Sequence, residues 1–358
     1  MRYPYSETYR EARGRFRAAA RDAGARLEAH TVRAAPDEEE SLTIDVARIG
    51  PASPRWSVVV SSGVHGVEGF FGSAIQTAFL QQSSAAQFAQ FDGEFIFIHA
   101  INPFGFSELR RVNEDNVDLN RNFLLAGDAY TGASAEYIAL SDLLDGSVPT
   151  RLFDPFLARI GWTVARHGLS ALKQAVAGGQ YQCPKGLFFG GHRAARSTEI
   201  LEENILKWIG SRRAVHLDLH SGLGGYAKST LLAPPHSDNR RLDEYRQLFG
   251  SEAEITGVDR GLAFKMRGDL GQYLAAVTSH LNYTLLFVEF GTYSPLRVLN
   301  ALRKENQAHF CTPQGSAAQR VTKAALLECF SPASPSWRTP VLQQGLQLIW
   351  RAQHLVSH

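Results

Sequence analysis

The chain has no long apolar run, only three cysteines in 358 residues, and almost no net charge. Spanning a bilayer takes about 20 consecutive apolar residues, and no stretch of this length occurs. Residues 1–27 also lack the apolar segment of a secretion signal. Cys183, Cys311 and Cys329 are dispersed, odd in number and without C-x-x-C spacing, which argues against a disulfide framework and fits a reducing compartment. The expectation is a cytoplasmic protein without a membrane partner. A formal net charge of +2 gives no support to a nucleic-acid footprint, which needs a concentrated basic face. The most basic stretch, residues 10–26, is interleaved with Glu11 and Asp22 and reads as the solvated side of an amphipathic helix. Repeats and low-complexity segments are absent too. What is present, 44% hydrophobic and 20% charged residues, is the composition of a globular domain.

Periodicity predicts a helix over residues 6–30, a half-exposed strand over 41–49, and a buried strand over 55–61 containing Val58-Val59-Val60. A turn carrying His65 and Glu68 follows, then a helix over 69–82. Strand, turn and helix make an α/β unit, whose ligands belong at the strand's carboxyl end. Another buried strand covers 94–100, and residues 104–125 read as a long polar loop, a kind that is usually functional. Helices are expected at 133–144, 155–167, 170–177 and 198–209. The glycines of 178–191 break this helical stretch and shape one wall of a cleft. Strands follow at 213–219, 229–233 and 283–290, helices at 239–249 and 269–281, and a last helix at 340–356. With no clear boundary, the reading is one α/β domain over residues 1–358. It has a mixed, mainly parallel central sheet flanked by helices on both faces and a helical insertion at about 127–211.

Chemistry-bearing residues cluster at the strand ends. His65 and Glu68, three apart, can reach a common point from one tight turn; the plainer alternative is a surface ion pair. His220 ends the 213–219 strand. His216, four positions earlier on the same face, reads as a buried, hydrogen-bonded core histidine, and Asp218 as a group that orients a ligand histidine. Together His65, Glu68 and His220 make a His₂Glu set with one open position, the pattern of catalytic rather than structural zinc, and one Zn²⁺ per chain is expected. Water in such a position ionises near neutral pH and needs a base to take its proton. Glu289 lies in the apolar run Leu285-Leu286-Phe287-Val288-Glu289-Phe290, where an unpaired carboxylate is costly. It needs either a salt-bridge partner or a task, and general base is the candidate task. Asn120 and Arg121 suit capture of a carboxylate, while Arg111, with Arg110 as competitor, brings positive charge to a developing oxyanion. The other possibility for this loop is that its own Asn, Asp and Arg hydrogen bonds hold it together. Gly222-Leu223-Gly224-Gly225 lacks the spacing of a nucleotide-binding turn.

This ordered set resembles the zinc metallocarboxypeptidase superfamily, the carboxypeptidase A-like peptidases. His65 and Glu68 match its H-x-x-E pair and His220-Ser221 its distal histidine. Arg111 to Asn113 and Val117 to Phe123 match the R-x-N-x-x-x-V-D-L-N-R-N-F stretch of bacterial members, and Glu289 its late glutamate. The resemblance implies that Arg111 polarises the scissile carbonyl, that Asn120 and Arg121 hold a terminal carboxylate, and that Glu289 is the general base. The match covers about residues 57–294. It departs where the family places a mobile tyrosine: residues 261–267 contain none. The segment before the histidine strand is only echoed by Arg196-Ser197-Thr198-Glu199. The chain is thus expected in a divergent branch. Its leading reading is a metallocarboxypeptidase acting on small peptides. The alternatives are a deacylase of N-acyl amino acids resembling aspartoacylase and succinylglutamate desuccinylase, and a non-catalytic metal- or peptide-binding protein. Oligomeric state is left open by the sequence.

Overall fold

The computed structural model describes residues 4–146 except 89, isolated positions between 156 and 168, and 178–357 except 211, 234–238, 251–252 and 258–265. Among these residues eight strands form one sheet: β1 (Arg26–Arg33), β2 (Leu42–Ile49), β3 (Trp56–Ser62), β4 (Glu94–His99), β5 (Arg213–Ser221), β6 (Ser229–Ala233), β7 (Ala253–Gly257) and β8 (Tyr283–Phe290). Their order across the sheet is β1-β2-β4-β3-β5-β8-β6-β7. The central strands β4, β3, β5 and β8 are parallel, as are β6 and β7. The pairs β1–β2, β2–β4 and β6–β8 are antiparallel. The expected mixed, mainly parallel α/β sheet is therefore the fold of this chain.

Continuous apolar runs form the centre because the central strands are covered on both faces. Alternation sorts their side chains. Val58, Val60, Phe97, Leu217 and Val288 enter one core, beneath helices Gly69–Gln81 and Pro335–Ala352. Val59, Ile96, Ile98 and Leu285 enter the other, beneath helices Arg196–Ile209 and Leu270–Val277. Each buried aliphatic or aromatic side chain stabilises by roughly 1.5–3 kcal/mol. A one-residue slip of β5 would exchange its faces, so these apolar residues also fix where His216, Asp218 and His220 point.

Several elements differ from expectation. The helix expected over 6–30 runs only from Tyr9 to Asp22, because Gly24 takes a left-handed φ of 79°, and the chain turns into the edge strand β1. Strand β2 is buried along nearly its whole length rather than half-exposed; buried Asp45 is held by Arg17 of the overlying helix, at 2.7 Å. The 104–125 stretch is partly ordered as helix Pro103–Glu108, capped by Asn102, and as a 3-10 turn at Leu119–Arg121. The single helix expected over 133–144 is two short ones, Ala135–Ala139 and Ser141–Leu144. Strand β7 and helices Pro295–Cys311 and Ala317–Phe330 are additional. The last helix spans Pro335–Ala352 rather than 340–356; Ser334 caps it, with Pro335 in the first turn where a missing N–H costs nothing. The helices expected at 155–167 and 170–177 lie largely outside the described residues. Among the described residues no helix is long and apolar enough to cross a membrane.

Candidate metal centre

Two parallel strands deliver the donors, and a third, beside them, the glutamate. β3 ends at Ser62 and hands the chain to a turn carrying His65 and Glu68, while β5 ends with His220-Ser221. In the β5–β8 register His220 pairs with Glu289, which sets the glutamate beside the histidine. The His65–Glu68 turn is docked by backbone hydrogen bonds from Gly66 N–H to the Arg111 carbonyl and from Val67 N–H to the Arg110 carbonyl. A β-carbon on Gly66 would lie 2.1 Å from the Gly105 carbonyl carbon, so this approach admits only glycine.

His65, Glu68 and His220 bring one donor atom each within 4.8 Å of one another, and all three are buried. His65 Nδ1 is 2.8 Å from Glu68 Oε1, and His220 Nδ1 is 3.5 Å from Glu68 Oε2. The Ser221 backbone N–H donates to Glu68 Oε2 at 3.0 Å. Outside the cluster, His220 Nε2 lies 2.6 Å from Asp218 Oδ2 and His65 Nε2 lies 3.2 Å from Asp118 Oδ1. Carboxylates behind the outer nitrogens are the usual way to orient ligand imidazoles. With three donors converging and both histidines backed in this way, the residues fit a divalent ion of the zinc type.

The electrostatics agree. Burial alone would raise the Glu68 carboxyl, but the two histidines outweigh it and hold it at about 2. Asp118 is likewise held well below its ordinary value, with Arg111 and His65 overcoming burial. His220 is raised well above its ordinary value, since Asp218 and Glu68 overcome the burial that would lower it. Glu289 goes the other way. Burial, helped by the nearby Glu68 charge, pushes it up to about 7 against the opposing pull of His220, His65 and Arg111. Its Oε2 is buried without a hydrogen-bond partner. A half-desolvated acid poised near neutrality beside metal donors has the properties of a proton acceptor.

The two arginines separate clearly. Arg110 is 1% exposed, and its Nε donates to Glu305 Oε1 at 2.8 Å, with further bonds to Asn116 and Asn306. Arg111 faces the donors, with Nε on Asp118 Oδ2 at 3.0 Å and Nη2 at 2.6 Å from His65 Nε2. A guanidinium only donates, so this contact puts the His65 proton on Nδ1. A cation held through Nδ1 would need the proton on Nε2 instead, where Asp118 Oδ1, at 3.2 Å, would accept it. Asn120 accepts from the Leu270 N–H through Oδ1, leaving its amide N–H₂ to donate elsewhere. Arg121 is buried, its Nη1 on the Asn120 carbonyl and its Nε without a partner. Gly179 at φ 72° gives room for the Arg121 side chain, since a β-carbon would lie 2.6 Å from its Cδ. The glycine segment of 178–191 therefore does line this region. Arg267 is bound to the Ala129 and Thr131 carbonyls and stacks on Tyr181.

His216 is a buried core histidine as expected, hydrogen-bonded to Ser61 and Tyr283, and Asp218 backs a candidate ligand. Sequence reasoning did not single out the contact of Asp118 with His65, although Asp118 opens the same motif as Asn120 and Arg121. It also gave no sign of Glu305 and Asn306, which occupy Arg110.

A family model described as "Protein of unknown function (DUF2817)" matches residues 5–344. The chain belongs to that family. No curated protein matches it. Among solved structures it is similar to bovine thrombin-activatable fibrinolysis inhibitor in complex with tick carboxypeptidase inhibitor, with a TM-score of 0.55 at 11% identity over 99% of both chains. It is also similar to a carboxypeptidase A from Helicoverpa armigera, with a TM-score of 0.50 at 13% identity over 92% of this chain and 76% of that one. At these identities the likeness concerns the fold, and this DUF2817 chain has a metallocarboxypeptidase-like one.

Proposed function

We propose that the chain is a zinc-dependent hydrolase that cleaves an amide bond next to a free carboxylate, working as a metallocarboxypeptidase on small peptides. The observation that carries the reading is Glu289, held near pH 7 with an unpaired carboxylate oxygen, beside three converging donors. His65, Glu68 and His220 hold one ion. When bound, that ion supplies Lewis-acid polarisation and lowers the pKa of water at the open position. Glu289 takes the proton of the attacking water and returns it to the leaving amine. Arg111 donates to the scissile carbonyl oxygen as negative charge builds there, and Asn120 Nδ2 with the Arg121 guanidinium holds the terminal carboxylate. Three free thiols fit the reducing cytoplasm as its location.

The test is metal analysis of the purified protein beside a substrate panel: amino-terminally blocked dipeptides against N-acetyl and N-succinyl amino acids. Zinc near one equivalent and release of a free amino acid from the dipeptides support the proposal. Turnover of N-acyl amino acids alone would make the chain a deacylase, and zinc binding without turnover of either class would sink the enzymatic reading.

A further inference from the structure

The buried faces of β3, β5 and β8 carry a chain of hydrogen bonds that reaches well past the donors. The Tyr283 hydroxyl lies 2.6 Å from His216 Nδ1, and His216 Nε2 lies 2.6 Å from Ser61 Oγ. The Ser61 hydroxyl donates to Asp218 Oδ1 at 2.5 Å, and Asp218 Oδ2 is 2.6 Å from His220 Nε2. Alternation puts His216, Asp218 and His220 on one face of β5, and the β3–β5 register pairs Ser61 with Asp218. Ser61, His216 and Asp218 are at most 1% exposed, so their protons go to protein partners.

Counting protons fixes the direction of every bond. A carboxylate only accepts, so the single Ser61 hydroxyl proton is spent on Asp218 Oδ1. Ser61 Oγ must then accept from His216, whose proton is therefore on Nε2. Burial lowers His216 to about 4, so the ring is neutral and carries that one proton only. Its Nδ1 accepts, and Tyr283 donates to it. Asp218, with Oδ1 occupied, offers Oδ2 to the His220 Nε2–H, and His220 Nδ1 is the nitrogen left facing Glu68.

We infer that Tyr283, His216 and Ser61 are positioning residues, a one-way relay of donated hydrogen bonds that fixes the Asp218 carboxylate and through it holds His220 as the Nε2–H tautomer, with Nδ1 ready for a cation. The relay rests on the proposed reading of His220 as a zinc ligand, but its test does not depend on turnover. Removing one link frees its neighbours to turn. In Tyr283→Phe the His216 proton can move to Nδ1, and Ser61 can then donate to His216 instead of Asp218.

Nitrogen-15 NMR of the full-length, metal-free protein, followed to alkaline pH because Asp218 and Glu68 keep His220 protonated well above its ordinary value, reports the tautomer of the neutral ring, and chelator competition reports zinc affinity. The wild type is expected to show His220 protonated on Nε2. Ser61→Ala and Tyr283→Phe, both small deletions, are expected to show mixed tautomers and zinc dissociation constants raised roughly 3- to 30-fold, below or within the range for loss of a direct partner. Ser61→Thr, which keeps the hydroxyl, is expected to restore the wild-type tautomer. His220 still wholly Nε2–H in both deletion variants overturns the inference, whatever the affinities do. A wild type that binds no zinc would remove the hydrolase reading, while the tautomer measurement would still decide the relay.

Discussion

Replacing Glu289 with glutamine should make the metal-free protein more stable at the same time as it abolishes turnover. Folding raises this carboxyl from 4.5 to about 7, chiefly by burial. An acid raised on folding holds its proton more tightly in the native state. Its contribution is therefore complete below pH 4.5, falls as the pH climbs from 4.5 to about 7, and is flat above that. At 1.36 kcal/mol per pH unit the loss comes to about 3 kcal/mol by pH 8, less whatever partial access to solvent relieves. Glutamine has no such ionisation. The assay is denaturant unfolding of chelator-treated wild type and Glu289→Gln at pH 4.5, 6 and 8. The stability difference should move by about 2–3 kcal/mol in favour of glutamine between the first and last points. The zinc-loaded variant should keep its metal, while kcat drops by roughly 100-fold or more. A stability difference that is the same at all three pH values would refute the burial argument. A variant with near-normal kcat would refute the role of Glu289 as base.

The two neighbouring arginines should behave oppositely. Arg110→Ala leaves buried Glu305 without its partner and should lower stability by about 3–5 kcal/mol, seen as a lower unfolding midpoint. Arg111→Ala, which leaves buried Asp118 with only His65 and Arg121 to offset its burial, should lower the midpoint less than Arg110→Ala but cut kcat by roughly 100- to 1,000-fold; a fall in stability with kcat unchanged would put both residues in structural roles. Asp118→Asn should weaken zinc binding by about 10- to 100-fold in chelator competition, and unchanged affinity would remove Asp118 from the support of His65. Arg121→Ala should raise KM for peptides ending in a free carboxylate far more than for their carboxyl amides, and equal effects on both would move the carboxylate contact elsewhere.

Much of the site is legible in the sequence because each donor terminates an apolar run, and a run buried on both faces announces itself without knowledge of its neighbours. What the runs leave unsaid is adjacency. Nothing in residues 56–62, 213–221 and 283–290 says that β3, β5 and β8 lie side by side, and that order is what joins His65, His220 and Glu289. The two strands missed, β1 and β7, are the two sheet edges. β1 alternates exposed and partly buried residues along its length, and without a buried apolar stripe it read as a continuation of the preceding helix. Helix Pro295–Cys311 escaped for a related reason. It turns Arg303, Glu305, Asn306 and Gln307 inward along with Val298 and Leu302, so polar residues interrupt the apolar face on which periodicity depends.

Those inward polar residues also explain why the choice between Arg110 and Arg111 was open in sequence and closed in structure. Both arginines precede the same motif, and both fit the chemistry. Glu305 and Asn306, some 195 positions away along the chain, take up Arg110 and dock the 295–311 helix against the loop. The backbone of Arg110 and Arg111 in turn carries the Gly66 and Val67 N–H groups of the donor turn. The arginine that does no chemistry thus anchors the loop on which the donor turn sits, and its neighbour is left facing the donors because backbone bonds of the same dipeptide hold it there. A conserving change at the anchor should therefore disturb the site through position rather than charge. Arg110→Lys keeps the charge on Glu305 but loses the fork that reaches Asn116 and Asn306. It should weaken zinc affinity and stability together, whereas an unaltered zinc affinity in a destabilised variant would show that the donor turn holds its shape without the anchor.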